Sequence, residues 1–176
     1  MTNGIQRGIV RDQVYQVDIG SAQSVNSPKY LICAHQTAAR LNGSNKRNNI
    51  SVFDNLNVEK YFAEIDGQRY PRDSVLTNYG LNDYIDQYRD LKLFYKEYVG
   101  ETLLDPFISY PDMKTKYSIQ VIDLRFQADH ITLRKIQLFE EYRVDPANAR
   151  LFVILIRRRE MEMISDGNKL IEVKVI

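Results

Sequence analysis

Four runs in the last third of the chain are rich in β-favouring residues, and turn residues cut them apart. They are 117–124 (YSIQVIDL), 133–144 (LRKIQLFEEYRV), 150–158 (RLFVILIRR) and 169–176 (KLIEVKVI), separated by 127–132, by the Asp-Pro-Ala-Asn of 145–148 and by the Ser-Asp-Gly-Asn of 165–168. Short strands at regular spacing with this punctuation predict an all-β fold, an antiparallel sandwich or a barrel. In the third run Leu151, Val153 and Leu155 fall on one face and Phe152, Ile154 and Ile156 on the other, so both faces need cover. A second sheet covers only one of them. The other requires a helix, the apolar segment 103–110 or a neighbouring subunit.

The first half uses the same vocabulary. Tyr15, Val17 and Ile19 alternate with Gln16 and Asp18 in a strand expected to end at Gly20. A loop at 21–28 leads to a strand at 29–36, whose YLICAH is apolar on both faces and reads as central. The polar stretch 39–49 reads as a surface loop. Residues 57–65 and 68–70 flank Asp66 and Gly67, and an Asp-Gly pair between β-favouring runs predicts a tight hairpin, because both turn positions need positive φ. Pro71, which has no ladder donor, is expected to end the second arm.

One helix is expected to interrupt the strands, over 82–99. Tyr84, Tyr88, Leu91, Tyr95 and Tyr98 recur at helical spacing, Asn82 is placed to cap the start, and Gly100 lies just past the end. Tyrosine rings cover apolar area while their hydroxyls want partners, so the stripe suits a helix lying on a sheet or a partly wet contact between subunits. The five stripe residues, with Arg157 and Arg159 at the end of the third run, are therefore candidates for an interface. Beyond the helix, 103–113 reads as an ordered apolar loop around Pro106 and Pro111.

Composition bounds the rest. A chain of 176 residues, 44% of them hydrophobic, can bury one real core, and a net charge of +1 spread in both signs gives no general attraction to nucleic acid or anionic membrane. No apolar run reaches the roughly 18 residues of a membrane span, and the amino terminus lacks the apolar centre of a secretory signal, so the chain reads as soluble and intracellular. The single cysteine, Cys33, sits in an apolar run and reads as a buried structural thiol. His35 and His130 have no second imidazole or cysteine at ligand spacing, so neither metal nor other cofactor is expected. Glu140, Glu141 and Asp123 are the carboxylates that could do acid–base work, but adjacent side chains in a strand point to opposite faces. With no phosphate loop or nucleophile elbow either, no enzyme is expected. Arg157, Arg158 and Arg159 are split over two faces and followed by Glu160 and Glu162, which reads as strand-end charge or an intersubunit salt bridge rather than a phosphate site.

The hairpin running into Arg-Tyr-Pro (IDGQRYP, 65–71), the tyrosine-rich helix after it, SIQVIDLRFQ (118–127) and the closing block ARLFVILIRRREMEMISDGNKLIEVKVI (149–176) together resemble a known family. They look like the carboxyl-terminal part of the major capsid protein of Polinton (Maverick) elements and related adintoviruses. The resemblance runs from about Val14 onward and is strongest in the last sixty residues. It implies a jelly-roll fold, a place in the virion, and self-association into trimeric, pseudo-hexagonal capsomers, with a second jelly roll or a minor capsid protein as further partner. The family carries two rolls in one chain, whereas this sequence has the length for one, over 13–176, with 1–12 expected to be a flexible segment linking to another. It reads as one half of such a protein or as a standalone descendant of an element. A second class stays open, a jelly-roll binding module of lectin or ligand-receptor type whose loops hold the ligand. The absence of aromatic residues from 39–49 favours the capsid reading.

Overall fold

The computed structural model of the chain describes residues 14–22, 28–41, 51–100, 108–126, 134–143, 149–157, 161–166 and 169–175. Its strands are β1 (Val14–Ala22), β2 (Pro28–Thr37), β3 (Val58–Ile65), β4 (Gln68–Leu76), β5 (Ile119–Asp123), β6 (Arg134–Tyr142), β7 (Ala149–Arg157), β8 (Met161–Asp166) and β9 (Lys169–Val175). The helices are α1 (Ala38–Leu41), α2 (Ile85–Val99) and α3 (Tyr110–Thr115). One sheet has the order β1-β6-β3-β4 and a second β5-β2-β7, while β8 and β9 pair with each other. All these strand pairs are antiparallel. The chain is an all-β antiparallel sandwich, which among the described residues carries one long helix and two short ones.

Alternation in the strands decides what lies between the sheets. Leu31 and Cys33 of β2, Ile122 of β5 and Leu124 just after it meet Tyr61, Ala63 and Ile65 of β3 and Ile136, Leu138 and Tyr142 of β6 in one buried cluster. Val17 of β1 and Leu151, Val153 and Leu155 of β7 pack against its rim. Residues one place along point outward. On the four-stranded sheet the outer face is wet: Lys60 faces Glu141 at 3.8 Å and Gln137 donates to Asp18 at 2.6 Å. Phe62 and Phe139 stack there at 4.8 Å, and the Arg69 guanidinium lies over the Phe62 ring. This is the solvated side expected of an antiparallel sheet.

The outer face of the three-stranded sheet is apolar and α2 lies over it. Tyr30 and Ile32 of β2, Ile119 and Val121 of β5 and Ile156 of β7 form a second cluster with Tyr84, Tyr88, Leu91 and Phe94, joined by Tyr79, Met113 and Tyr110. The continuous apolar character of β2 and β7 thus has its reason, because β2 is central and covered on both sides. The cover ends at the sheet margin, where Ile154 of β7 is 60% exposed.

The hairpin is as the Asp-Gly pair predicts. Asp66 has φ 50° and Gly67 φ 83°, the left-handed pair of a tight turn whose twist suits the flanking strands. Lys135 N donates to Asp66 Oδ1 at 2.9 Å, tying the turn to β6. A Cβ at Gly67 would meet no atom within 4 Å, so a substitution there strains the backbone without causing a clash. Replacing Gly67 with valine is expected to lower stability by about 1–3 kcal/mol, since a β-branched residue is disfavoured at positive φ. An unchanged urea midpoint would show that the turn bears no strain.

Several expectations are corrected. Pro71 does not end the second arm: β4 runs on to Leu76 through a cis Tyr70–Pro71 bond and a register shift, which an edge strand tolerates because its outer side needs no donor. Gly20 does not end β1, which continues to Ala22 after a shift between Asp18 and Gly20. The loop expected at 39–49 begins inside α1, and its remainder lies outside the described residues. The segment read as an apolar loop ends in α3, where Ser109 accepts from Asp112 N and a proline stands in the first turn, a good helix start overlooked because six residues show no periodicity. Asn82 does not cap α2. It has φ 57°, its carbonyl accepts from Tyr110 Oη at 2.7 Å and its side chain from Lys114 Nζ at 2.7 Å, while Tyr84 takes the cap position without its side chain capping a backbone amide. Strand β8 was not expected, since its alternating Met and Glu carry little β-propensity. Residues 1–12, His130 and Arg159 lie outside the described residues.

Candidate functional site

Two regions hold the residues of interest, the helix layer and the interior between the sheets. In the helix layer the tyrosine stripe divides. Tyr84 is 2% exposed and stacks between Tyr79 at 5.3 Å and Tyr110 at 4.2 Å. Its hydroxyl donates to the Tyr110 carbonyl at 3.1 Å, and burial raises its pKa. Tyr79 Oη lies 2.5 Å from Gln87 Oε1 and 2.9 Å from Ser118 Oγ; burial pushes it up to about 12 despite those bonds. Leu91 is buried as well. Tyr84 and Leu91, candidates for an interface, are thus core residues that fasten α2 to its own sheet.

The rest of the stripe grades toward solvent. Tyr88 is half-buried, donating to the Ile108 carbonyl at 3.3 Å, with the Lys92 ammonium over its ring. Tyr95 is half-buried, and Tyr98 is 47% exposed with its ring edge against Tyr30. At this end Tyr30 Oη donates to Glu97, Arg125 bridges Glu97 and Asp123, and the Arg125 guanidinium covers the Tyr30 ring at 4.9 Å. On the solvent side of the helix Ile85 and Leu93 are exposed two turns apart, with Arg89 between them paired to Asp86 and Asp90. Arg157 stands at the end of β7.

Between the sheets lies a polar cluster that sequence reasoning missed. His35 projects inward from β2 and Glu140 from β6; their side chains are 3% and 1% exposed, with Nε2 and Oε2 3.0 Å apart. Tyr142 Oη donates to the same Oε2 at 2.6 Å and lies 3.1 Å from His35 Nε2. Burial alone would raise the Glu140 carboxyl, but the charge and hydrogen bond of His35, then Tyr142 and the Gln120 amide, outweigh it and hold it below the ordinary carboxylate value. Glu141 points outward to Lys60, so the adjacent glutamates are indeed separated. Tyr61 Oη, Gln120 Oε1 and Glu140 Oε1 are buried in the same interior without a hydrogen-bond partner. Cys33 is fully buried there, its thiol pushed up by burial and then by the Glu140 charge, which suits a structural role rather than a nucleophile.

Among the described residues no group of three or more His, Cys, Asp or Glu is placed to hold a metal ion, and no helix is long and apolar enough to cross a membrane. No protein family, curated protein or solved structure matches this chain.

Proposed function

We propose that this chain is a capsid-type structural protein, a jelly-roll subunit or one half of a double jelly-roll major capsid protein of the Polinton kind, which works by associating with copies of itself. The observation that carries this reading is exposed apolar surface on the helix-bearing side: Ile154 at the margin of the three-stranded sheet and Ile85, Leu93 and Tyr98 on α2 leave large apolar groups open to water. Surface of this kind, when it gathers beyond a few hundred Å², is characteristic of contact sites. An all-β antiparallel sandwich is the broad architecture to which a jelly roll belongs, and this supports the reading. On this reading apolar and aromatic contacts supply affinity, rim charges set register, and the assembled form is the family's trimeric capsomer in a virion.

The test is light scattering with electron microscopy of concentrated protein, wild type beside a Leu93→Lys, Ile154→Lys double variant. Wild type is expected to associate, and the variant to stay monomeric with a thermal midpoint within a few degrees, since both side chains are exposed. A wild-type chain that remains monomeric at every concentration, or a variant that associates equally well, would count against the reading.

A further inference from the structure

We propose that His35, Glu140 and Tyr142 form a proton-operated latch between the two sheets, closed while Glu140 is ionised and released when its carboxylate takes up a proton. His35 belongs to β2 of the three-stranded sheet, Glu140 and Tyr142 to β6 of the four-stranded one, and both polar contacts converge on one atom, Glu140 Oε2. The rings of His35 and Tyr142 meet edge to face at 6.0 Å, so the three groups hold one another in place.

The surroundings make the charge on Glu140 decisive. Among the described residues, His35 from β2, Tyr142 from its own strand and the Gln120 amide on β5 act on it, while its own charge reaches Cys33 on β2, Tyr61 opposite it on β3 and Tyr79 beyond β4. Of these only His35 can carry positive charge, so the carboxylate and the imidazole stabilise each other in a medium where an unpaired ion is costly. Protonation removes the negative end of that pair and weakens the bond from Tyr142, which as a charge-assisted bond is stronger than a neutral one.

The direction of the effect follows from the carboxyl's lowered position. A group whose pKa is lower folded than unfolded contributes stability above the unfolded value and loses it as pH falls through the folded one. The latch therefore holds near neutrality and lets go in acid, loosening the sandwich from its centre rather than from its rim.

The experiment is urea denaturation of the full chain from about pH 7 to about pH 3, for wild type, Glu140→Gln and Tyr142→Phe, with the Glu140 carboxyl followed by carbon NMR. Wild type should lose midpoint on acidification, and Glu140→Gln should start lower and fall less, so that the two curves converge at the acid end. Tyr142→Phe keeps the ring but removes the donor, and should move the NMR titration of Glu140 upward. Curves that stay parallel across the range would mean that Glu140 fills space without acting as a latch. A carboxyl that titrates at or above the ordinary glutamate value, or that ignores Tyr142→Phe, would overturn the proposal even if Glu140→Gln did not fold.

Discussion

Replacing His35 with leucine is expected to destabilise the domain by about 3–5 kcal/mol, the usual result of leaving one member of a buried ion pair alone. Leucine fills much of the imidazole volume, so the loss would come mainly from a carboxylate stranded at 1% exposure rather than from a cavity. The companion experiment removes the whole cluster, His35→Leu with Glu140→Leu and Tyr142→Phe. Fully apolar replacement of a buried pair is often neutral or stabilising by about 1–4 kcal/mol, so the triple variant should recover most of what the single one loses. Urea denaturation at neutral pH measures both. A single variant within about 1 kcal/mol of wild type would mean that the pair is not a charged one in the folded chain.

Tyr84→Ala is expected to cost about 3–5 kcal/mol, the range for truncating a buried aromatic ring. The ring sits between two others and its hydroxyl reaches the Tyr110 carbonyl, so its removal would unseat the helix start and α3 together. Tyr98→Ala, at 47% exposure, should cost far less, on the order of 1 kcal/mol or below. Thermal unfolding of the two variants side by side checks the division of the stripe. Equal losses would mean that the carboxyl-terminal turns of α2 are as firmly packed as its first.

The sandwich was legible because its strands obey a period of two. The run at 133–144 predicts that Ile136, Leu138, Glu140 and Tyr142 share a face, and β6 places them all inward. The same parity held the clue to the buried cluster: an acid at a core position in one strand, and His35 at a core position beside Leu31 and Cys33 in another. Each polar residue in such a place needs a partner, but nothing local says which strands will face, and 105 positions separate the two in sequence. The tyrosine stripe was visible for a similar reason, but which of its residues are buried was not. Helical spacing shows which residues share a side, while exposure depends on how far the helix reaches across the sheet, and that buries Tyr84 and Leu91 but not Tyr98. The extension of β4 past Pro71 was hidden because the rule excluding proline belongs to central strands, and only the sheet order reveals that β4 is an edge.

That edge limits how the molecule can grow. Proline gives β4 one fewer amide to offer a newcomer, and the break in register between the Tyr61–Val75 and Ala63–Tyr70 pairs throws the strand out of line with any straight chain laid alongside. Arg69, Arg72 and Asp73 add exposed charge along the same stretch. Fibre formation by endless addition of backbone to the four-stranded sheet is therefore obstructed on this side, which lets a protein with open apolar groups elsewhere be crowded to high local density without templating amyloid-like stacks there.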